Sequence, residues 1–313
     1  MNEHFITNIE IKNFKCFENF KAEGFGRVNL IGGKNNVGKT AFMEACYIEK
    51  QYTSKAIYDI ILSRYSMSLL DELLNDIGQK YIFNFIQDKA KEITGGTVLT
   101  NFNQLIPCRT TESMRKPTPI KITYNKDELE KEDISISFLN TSIQSSFNYN
   151  KLYSKVIEFG LEDELDKLIQ GFDNTVDKFR IIQSKPKCSY KNNKQFYDLN
   201  EFGDGLGKFV FLICLLMTKH IIYLDEIENG IHHTNLDKLW EIILTISKQQ
   251  NVQVFATTHS KECIESYARV AKKLDETDIK FLSLYRNKEN ELKSITFDYE
   301  KIQDRIELGL DNR

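Results

Sequence analysis

The chain has 313 residues, 41% of them hydrophobic and 28% charged, which is enough to bury a large core in one or two domains. Its net charge of −3 at pH 7 excludes a global attraction to nucleic acid, so any such contact needs a local basic patch. The six cysteines form no C-x-x-C pair, which predicts free thiols in a reducing compartment. The sequence shows no signal-peptide pattern and no apolar run of membrane-spanning length. We therefore expect a cytoplasmic protein without a membrane partner.

The first 50 residues predict three strands and a helix. Residues 6–14 alternate between apolar and polar, a second strand is expected near 20–22, and 28–31 forms a third. The third strand leads into the segment 33–40, GKNNVGKT, which fits the phosphate-binding pattern G-x-x-x-x-G-K-[ST] at every fixed position. A helix over 40–48 follows, as that pattern requires.

This segment predicts a nucleotide site. Its glycines let successive backbone N–H groups turn inward at a helix N-terminus, where they attract phosphate. Lys39 would reach the β- and γ-phosphates, and the Thr40 hydroxyl would bind Mg²⁺. The residues assigned to the nucleotide are Gly33, Asn35, Asn36, Gly38, Lys39 and Thr40.

The middle of the chain has a different pattern of apolar residues. Apolar residues recur at helical spacing from 51 to 118, which predicts a small helical insertion ended by a proline pair. Two strands at 120–124 and 134–138, a helix at 152–169 and a strand at 179–182 are expected to follow.

A lysine-rich hairpin is predicted next, with an Asn192-Asn193 turn. Its lysines flank Tyr190 and are Lys185, Lys187, Lys191 and Lys194. A solvated hairpin is the favoured interpretation, and a nucleic-acid patch is the alternative.

The last third of the chain predicts buried strands that end in polar residues. The turn 203–208 (GDGLGK) opens an entirely apolar helix, 209–217. The remaining predicted elements are strands at 221–224, 252–256, 281–285 and 294–297, and helices at 236–248 and 299–308.

Two acidic residues end the first of these strands. The carboxyl ends of neighbouring strands in an α/β sheet meet at one edge, where ligands bind. Asp225 is placed there to hold Mg²⁺ through water together with Thr40, and Glu226 to polarise the attacking water. Alone, an Asp-Glu pair after a strand could simply cap a turn, but a preceding phosphate loop favours the catalytic interpretation.

Four motifs, GGKNNVGKT, GDGLGK, IIYLDEIENG and FATTHS, occur in the order found in ABC-type ATPases. Together with the opening IEIKNFKCFENF, they resemble the soluble branch that includes SMC-like, recombination-type and OLD-like (overcoming lysogenisation defect) proteins. The resemblance covers residues 1–50 and 200–313 well and the middle only loosely. It implies an α/β, ABC-type P-loop ATPase head with a mixed sheet and a helical insertion, which uses ATP and Mg²⁺.

The resemblance also implies roles for particular residues. Gly203, Asp204 and Gly205 match the signature turn, which in the family completes the nucleotide site of the opposite subunit of a homodimer. The common sequence of this turn is Ser-Gly-Gly, from which this chain departs. The segment 228–230 matches the loop that crosses the dimer interface, and His259 matches the histidine that senses the γ-phosphate. Gln51 lies earlier than the family's glutamine loop, whose position stays open.

We divide the chain into four parts on these grounds. They are 1–50, the first part of the ATPase head; 51–118, the insertion; 119–200, a joining segment; and 201–313, the second part of the head. The sequence lacks the sustained heptads of SMC proteins. Too few residues follow His259 for the nuclease domain that many OLD-like proteins carry, so none is expected.

Two hypotheses of function remain. In the first, a nucleotide-gated ATPase dimer acts on DNA in phage defence or repair, together with a separate effector such as a nuclease. In the second, a nucleotide-sensing scaffold sequesters a toxin or effector protein and releases it. Glu226 and His259 stand where hydrolysis needs them, which favours the first.

Overall fold

The computed structural model describes residues 4–51, 120–124, 135–140 and 149–307. The predicted helical insertion lies outside these residues, apart from Gln51 at the end of the first helix. The strands are β1 (Ile6–Phe14), β2 (Phe17–Glu23), β3 (Val28–Gly33), β4 (Ile120–Tyr124), β5 (Ile136–Asn140), β6 (Val176–Ile182), β7 (Lys185–Tyr190), β8 (Asn193–Asp198), β9 (Ile221–Asp225), β10 (Gln253–Thr257), β11 (Ile279–Arg286) and β12 (Leu292–Phe297). The helices are α1 (Lys39–Gln51), α2 (Tyr149–Glu158), α3 (Glu162–Phe172), α4 (Asp204–Thr218), α5 (Leu236–Gln249), α6 (Lys261–Leu274) and α7 (Tyr299–Glu307).

A six-stranded mixed sheet in the order β12-β11-β3-β10-β9-β5 forms the centre of the protein. Its neighbours are parallel except for β12, which runs antiparallel to β11. The inner strands β3, β9 and β10 are buried along their whole length. Burial was predicted for β9, from its continuous apolar sequence, and for β10, whereas β3 was expected to be only half-apolar. Because β3, β10 and β9 are adjacent and parallel, their carboxyl ends lie side by side.

The two faces of this sheet carry different partners. On one face, α1 and the antiparallel sheet β2-β1-β4 share a core that includes Ile9, Ile11 and Phe42. On the other, the core contains residues of α4, α5 and α6 around Trp240. Helix α4 is buried from Phe209 to Thr218, as the apolar run predicts.

Helix α6 was not among the predicted elements. The Ser260 side chain caps it, because its Oγ accepts a hydrogen bond from the backbone N–H of Cys263 at 3.1 Å. A serine before an amphipathic run was the signal that could have revealed this helix.

The predicted helix 152–169 is wrong, because the structure has two helices there. Gly160, with φ +68, ends α2. Its N–H donates to the Ile157 carbonyl at 2.9 Å, and the N–H of Leu161 donates to the Val156 carbonyl at 3.0 Å. This pair of bonds is a Schellman motif, which a glycine favours because it enters the left-handed region without a Cβ penalty.

The lysine-rich hairpin is part of a three-stranded sheet in the order β6-β7-β8. Its second turn is Lys191-Asn192, because Asn193 already pairs with Tyr190, so the predicted Asn192-Asn193 turn is displaced by one residue. Tyr190 stacks on Phe202 with ring centroids 4.6 Å apart, and Lys187 forms an ion pair with Asp198 at 2.7 Å. Within the described residues, no helix has both the length and the apolar character to cross a membrane.

Candidate nucleotide site

The phosphate loop joins β3 to α1, and its conformation depends on glycine at two positions. Gly33 has φ +144 and Gly38 has φ +111. A Cβ on Gly33 would lie 2.5 Å from the Leu284 carbonyl oxygen, and one on Gly38 would lie 2.7 Å from Cys16 Sγ. Asn36 between them also has a positive φ, of 60°. The loop therefore has the irregular backbone that a phosphate cradle needs.

Lys39 places its ammonium group over this loop. The Nζ atom donates to the carbonyl oxygens of Gly33 at 2.8 Å and Lys34 at 3.1 Å. Burial lowers the pKa of Lys39, while the carboxylates of Asp225 and of the loop after β9 act in the opposite direction. A cation that donates to carbonyl oxygens in a loop of this shape suits a phosphate group.

Three oxygen-bearing side chains meet at the ends of adjacent strands. The hydroxyl of Thr40 donates to Asp225 Oδ1 at 3.3 Å, and that of Thr257 donates to the same atom at 2.6 Å. Asp225 is only 2% exposed, and burial raises its pKa. Carboxylate and hydroxyl oxygens are the ligands that Mg²⁺ prefers. The donor set of Thr40 and Asp225 therefore fits the predicted ion.

Glu226 follows Asp225 in a strained conformation with φ +52. Its backbone N–H donates to Thr257 Oγ1 at 2.8 Å, and its Oε2 accepts a hydrogen bond from Asn229 Nδ2 at 2.6 Å. The backbone and the carboxylate are thus each held by a separate residue. Non-glycine residues with positive φ recur at functional sites, because the surrounding structure must hold them in place.

His259 lies after β10 and contacts the loop that follows β9. Its backbone N–H donates to Glu228 Oε1 at 3.0 Å, and its Nδ1 lies 3.3 Å from the same oxygen. The other oxygen of Glu228 is buried and has no hydrogen-bond partner among the described residues. Glu228 therefore orients the predicted switch histidine.

The predicted signature turn lies at the start of α4. Gly203 is the N-cap with φ +87, and Asp204 and Gly205 form the first turn of the helix. A Cβ on Gly205 would lie 3.7 Å from the Gly230 carbonyl oxygen, so the turn packs on the loop after β9. The structure thus brings the phosphate loop together with Asp225, Glu226 and the loop that contacts His259. The signature turn packs on that loop through Gly205.

Sequence reasoning missed two contributors. Thr257 bonds both Asp225 and Glu226, and its signal was a hydroxyl residue at the end of a buried strand. Glu44 of α1 is fully buried and forms an ion pair with Lys15 in the β1–β2 turn. No motif reveals that pair, because the two residues belong to separate elements.

The fold and the site can now be compared with known proteins. The family described as "AAA domain, putative AbiEii toxin, Type IV TA system" matches residues 28–265, from β3 into α6. The chain belongs to this family. Its match includes the phosphate loop, the signature turn, the Asp225-Glu226 pair and His259.

Individual relatives agree with this assignment. An "ATP/GTP phosphatase" of Helicobacter pylori is 26% identical over 335 residues, covering 86% of this chain and 89% of the relative. The "Structural maintenance of chromosomes protein 6" of Dictyostelium discoideum is 23% identical over 230 residues, which are 63% of this chain and 18% of that protein. A crystal structure of an Smc head bound to the C-terminal winged-helix domain of ScpA has a TM-score of 0.51. It is 12% identical and covers 96% of this chain and 99% of that one, so it shows the fold alone.

These comparisons confirm the predicted fold class, a mixed α/β P-loop ATPase fold like that of an Smc head. The chain is an ATPase with an AAA domain of the matched family.

Proposed function

We propose that this chain hydrolyses ATP at the carboxyl ends of β3, β9 and β10. The observation that carries the proposal is the pair of bonds made by Thr257, which fixes Asp225 and Glu226 side by side next to the phosphate loop. The Thr257 hydroxyl donates to the Asp225 carboxylate and accepts from the backbone N–H of Glu226, so it holds the metal ligand and the residue that carries the base in one arrangement. Pre-organised groups of this kind lower the cost of reorganisation during reaction.

Each residue then has a defined task. The backbone of Gly33, Asn35, Asn36 and Gly38 cradles the phosphates, and Lys39 moves its ammonium from the loop carbonyls to the β- and γ-phosphates. Thr40 and Asp225 would hold Mg²⁺, which would neutralise charge on the phosphate oxygens. Glu226 accepts the proton of the attacking water, and His259 contacts the γ-phosphate.

The proposed active form is a homodimer with the ATP sites at its interface. Gly203, Asp204 and Gly205 would complete the site of the second copy through backbone N–H groups. Two observations support this assignment: the turn packs on the 228–230 loop through Gly205, and Gly203 leaves open space where a Cβ would stand.

For the biological role, we propose a nucleotide-gated dimer of the OLD-like group, which acts in phage defence or DNA repair with a separate effector such as a nuclease. DNA is a possible partner. The alternative is a nucleotide-sensing scaffold that sequesters a toxin or effector protein. The positioning of Glu226 by Thr257 and Asn229 favours turnover, since a scaffold that only binds nucleotide needs no oriented base. An adjacent nuclease gene would support the first role, and an adjacent toxin-like gene the second.

The test is Glu226→Gln, with Glu241→Gln as the matched control, because Glu241 is a surface partner of Lys273. We expect the first variant to bind ATP with parental affinity and to hydrolyse it about 10²–10⁴-fold more slowly. With ATP and Mg²⁺ it should accumulate as a dimer in light scattering. The control should hydrolyse at the parental rate. Parental hydrolysis by Glu226→Gln would remove this residue from the mechanism.

A further inference from the structure

Two hydrogen bonds connect the signature helix to the proposed general base. Lys208, in the second turn of α4, donates from Nζ to the Asn229 carbonyl oxygen at 2.9 Å. The side chain of the same Asn229 donates from Nδ2 to Glu226 Oε2 at 2.6 Å. The two bonds form a continuous link from α4 to the carboxylate.

The backbone around this link is shaped for close approach. Gly230 has φ +69, and a Cβ there would lie 2.5 Å from Lys208 Nζ and 3.2 Å from its Cε. Any other residue at 230 would be strained and would push the ammonium group aside. Glycine at 230 thus serves both the turn and the lysine.

The surroundings of Lys208 explain why its ammonium group needs the hydrogen bond to the Asn229 carbonyl. The lysine lines a small apolar cavity with Phe209, Leu212 and Ile227. Burial lowers the pKa of Lys208, and Asp204 one turn earlier opposes this shift. Because a desolvated ammonium group is costly without a hydrogen-bond acceptor, the Asn229 carbonyl holds it in one place.

We propose that Lys208 is a positioning residue for ATP hydrolysis, which holds the amide of Asn229 on the carboxylate of Glu226 and so couples the signature turn to the general base. The proposal rests on the role of Glu226 given above. The signature turn would contact the nucleotide of the second copy, whereas Glu226 serves the nucleotide of its own chain. A shift of α4 on dimer formation would therefore reach Glu226 through these two hydrogen bonds.

The first test is Lys208→Met, which keeps the aliphatic stem in the cavity and removes the ammonium group. We expect kcat to fall about tenfold, because a misplaced catalytic group loses effective concentration. The KM for ATP and the affinity for a fluorescent ATP analogue should stay unchanged, since neither bond of the link involves the phosphate loop.

Lys238→Met is the matched control. Lys238 also donates from Nζ to a backbone carbonyl, that of Phe172 at 3.1 Å, but no described contact links it to Glu226. We expect parental kcat for this variant. Lys208→Arg retains a donor and a positive charge, and it should recover part of the activity that Lys208→Met loses.

A double-mutant cycle with Asn229→Ala separates coupling from general damage. If both residues act through one link, the double variant is no slower than the slower single variant. If Lys208 only stabilises the fold, the losses multiply and follow the melting temperatures. Multiplying losses, or parental kcat in Lys208→Met, would overturn the proposal.

Two further outcomes decide between failure of the link and failure of the proposed function. If Lys208→Met does not fold, Asn229→Ala decides alone, and parental kcat there overturns the link. If Glu226→Gln hydrolyses at the parental rate, the proposed function itself fails. A dead Glu226→Gln beside a fully active Lys208→Met would refute the coupling and leave the ATPase site intact.

Discussion

The amino ends and the carboxyl ends of the central strands form two opposite sides of the sheet, the amino edge and the carboxyl edge. Both edges bury polar side chains, but these side chains have different hydrogen-bond partners. At the amino edge, Asn29 and Gln253 are fully buried amides. Asn29 bonds the N–H and carbonyl of Gly26, each at 2.8 Å. Gln253 bonds the N–H of Ile6 at 2.7 Å and its carbonyl at 2.9 Å. These two side-chain amides have a structural role, because they form hydrogen bonds with main-chain groups that the strands leave unpaired.

At the carboxyl edge, buried and half-buried side chains bond one another instead of the backbone alone. The buried Asp225 accepts from two hydroxyls, and the half-buried Glu226 accepts from the side-chain amide of Asn229. Burial raises the pKa of Asp225, so the protein maintains this acid at an energetic cost. Buried amides that bond the backbone indicate a structural role. A buried carboxylate beside a phosphate loop indicates a site made for a cation and a polyphosphate.

The largest effect is expected from Lys39→Ala at the carboxyl edge. Removing an ammonium group that bonds phosphate should weaken ATP binding at least about 100-fold and abolish hydrolysis. The free energy of unfolding without nucleotide should fall by no more than about 1–2 kcal/mol, because the substitution removes two hydrogen bonds to loop carbonyls and no core side chain.

Fluorescent-nucleotide titration and urea unfolding measure the two quantities. Lys12→Ala on the exposed side of β1 is the control and should leave both unchanged. Unchanged nucleotide affinity in Lys39→Ala would refute the assignment of the phosphate loop.

Gln253→Leu at the amino edge should have the opposite effect to Lys39→Ala: it should lower stability and leave catalysis unchanged. The substitution removes the partner of the Ile6 N–H and of the Ile6 carbonyl, and it removes one of the hydrogen bonds to the Gly26 carbonyl. Each buried polar group left unpaired costs about 1–3 kcal/mol. We expect the free energy of unfolding to fall by about 3 kcal/mol in total. The kcat of the protein that remains folded should be parental, since Gln253 lies at the opposite end of β10 from Thr257.

Gln303→Leu removes a single bond, to the Ala268 carbonyl at 2.8 Å, and serves as the control with a loss of about 1 kcal/mol. Equal destabilisation by both variants would show that the amide network at the amino edge has no special weight. A selective loss of kcat in Gln253→Leu would show that the two edges are not separate in function.

The sequence revealed the parts of the site that are contiguous. The phosphate loop and the Asp225-Glu226 pair each form a short motif at the end of a predicted strand, but the order of the strands in the sheet was not predicted. The bridge from Thr257 to the Asp225 carboxylate and the Glu226 backbone could not be predicted, because it depends on β10 pairing with β9. The link from Lys208 to Asn229 was hidden for the same reason. Gly160 shows a different limit: its neighbours continue a helical pattern, so only its φ reveals the break.

The smallest effect is expected for DNA, where we predict no cleavage by this chain alone. A nuclease needs carboxylates that clamp metal ions around the scissile phosphate. Among the described residues, no group of three or more histidines, cysteines or acids could hold a metal ion. The acids near the end of the chain have structural tasks. Glu276 pairs with Arg27 at 3.3 Å and Lys248 at 2.9 Å, and Asp298 accepts from the Lys301 N–H in the first turn of α7.

The decisive experiment incubates the purified chain with supercoiled and linear DNA, with Mg²⁺ or Mn²⁺, and with or without ATP. We expect intact DNA in every lane while the same preparation hydrolyses ATP. Lys39→Ala separates a contaminant or an ATP-driven effect from an intrinsic nuclease. Cleavage that survives this substitution and co-purifies with the chain through successive columns would contradict the prediction. Because the Asp225 carboxylate already accepts from Thr40 and Thr257, and the Glu226 carboxylate from Asn229, such cleavage would direct the search for metal ligands to the predicted insertion, residues 51–118.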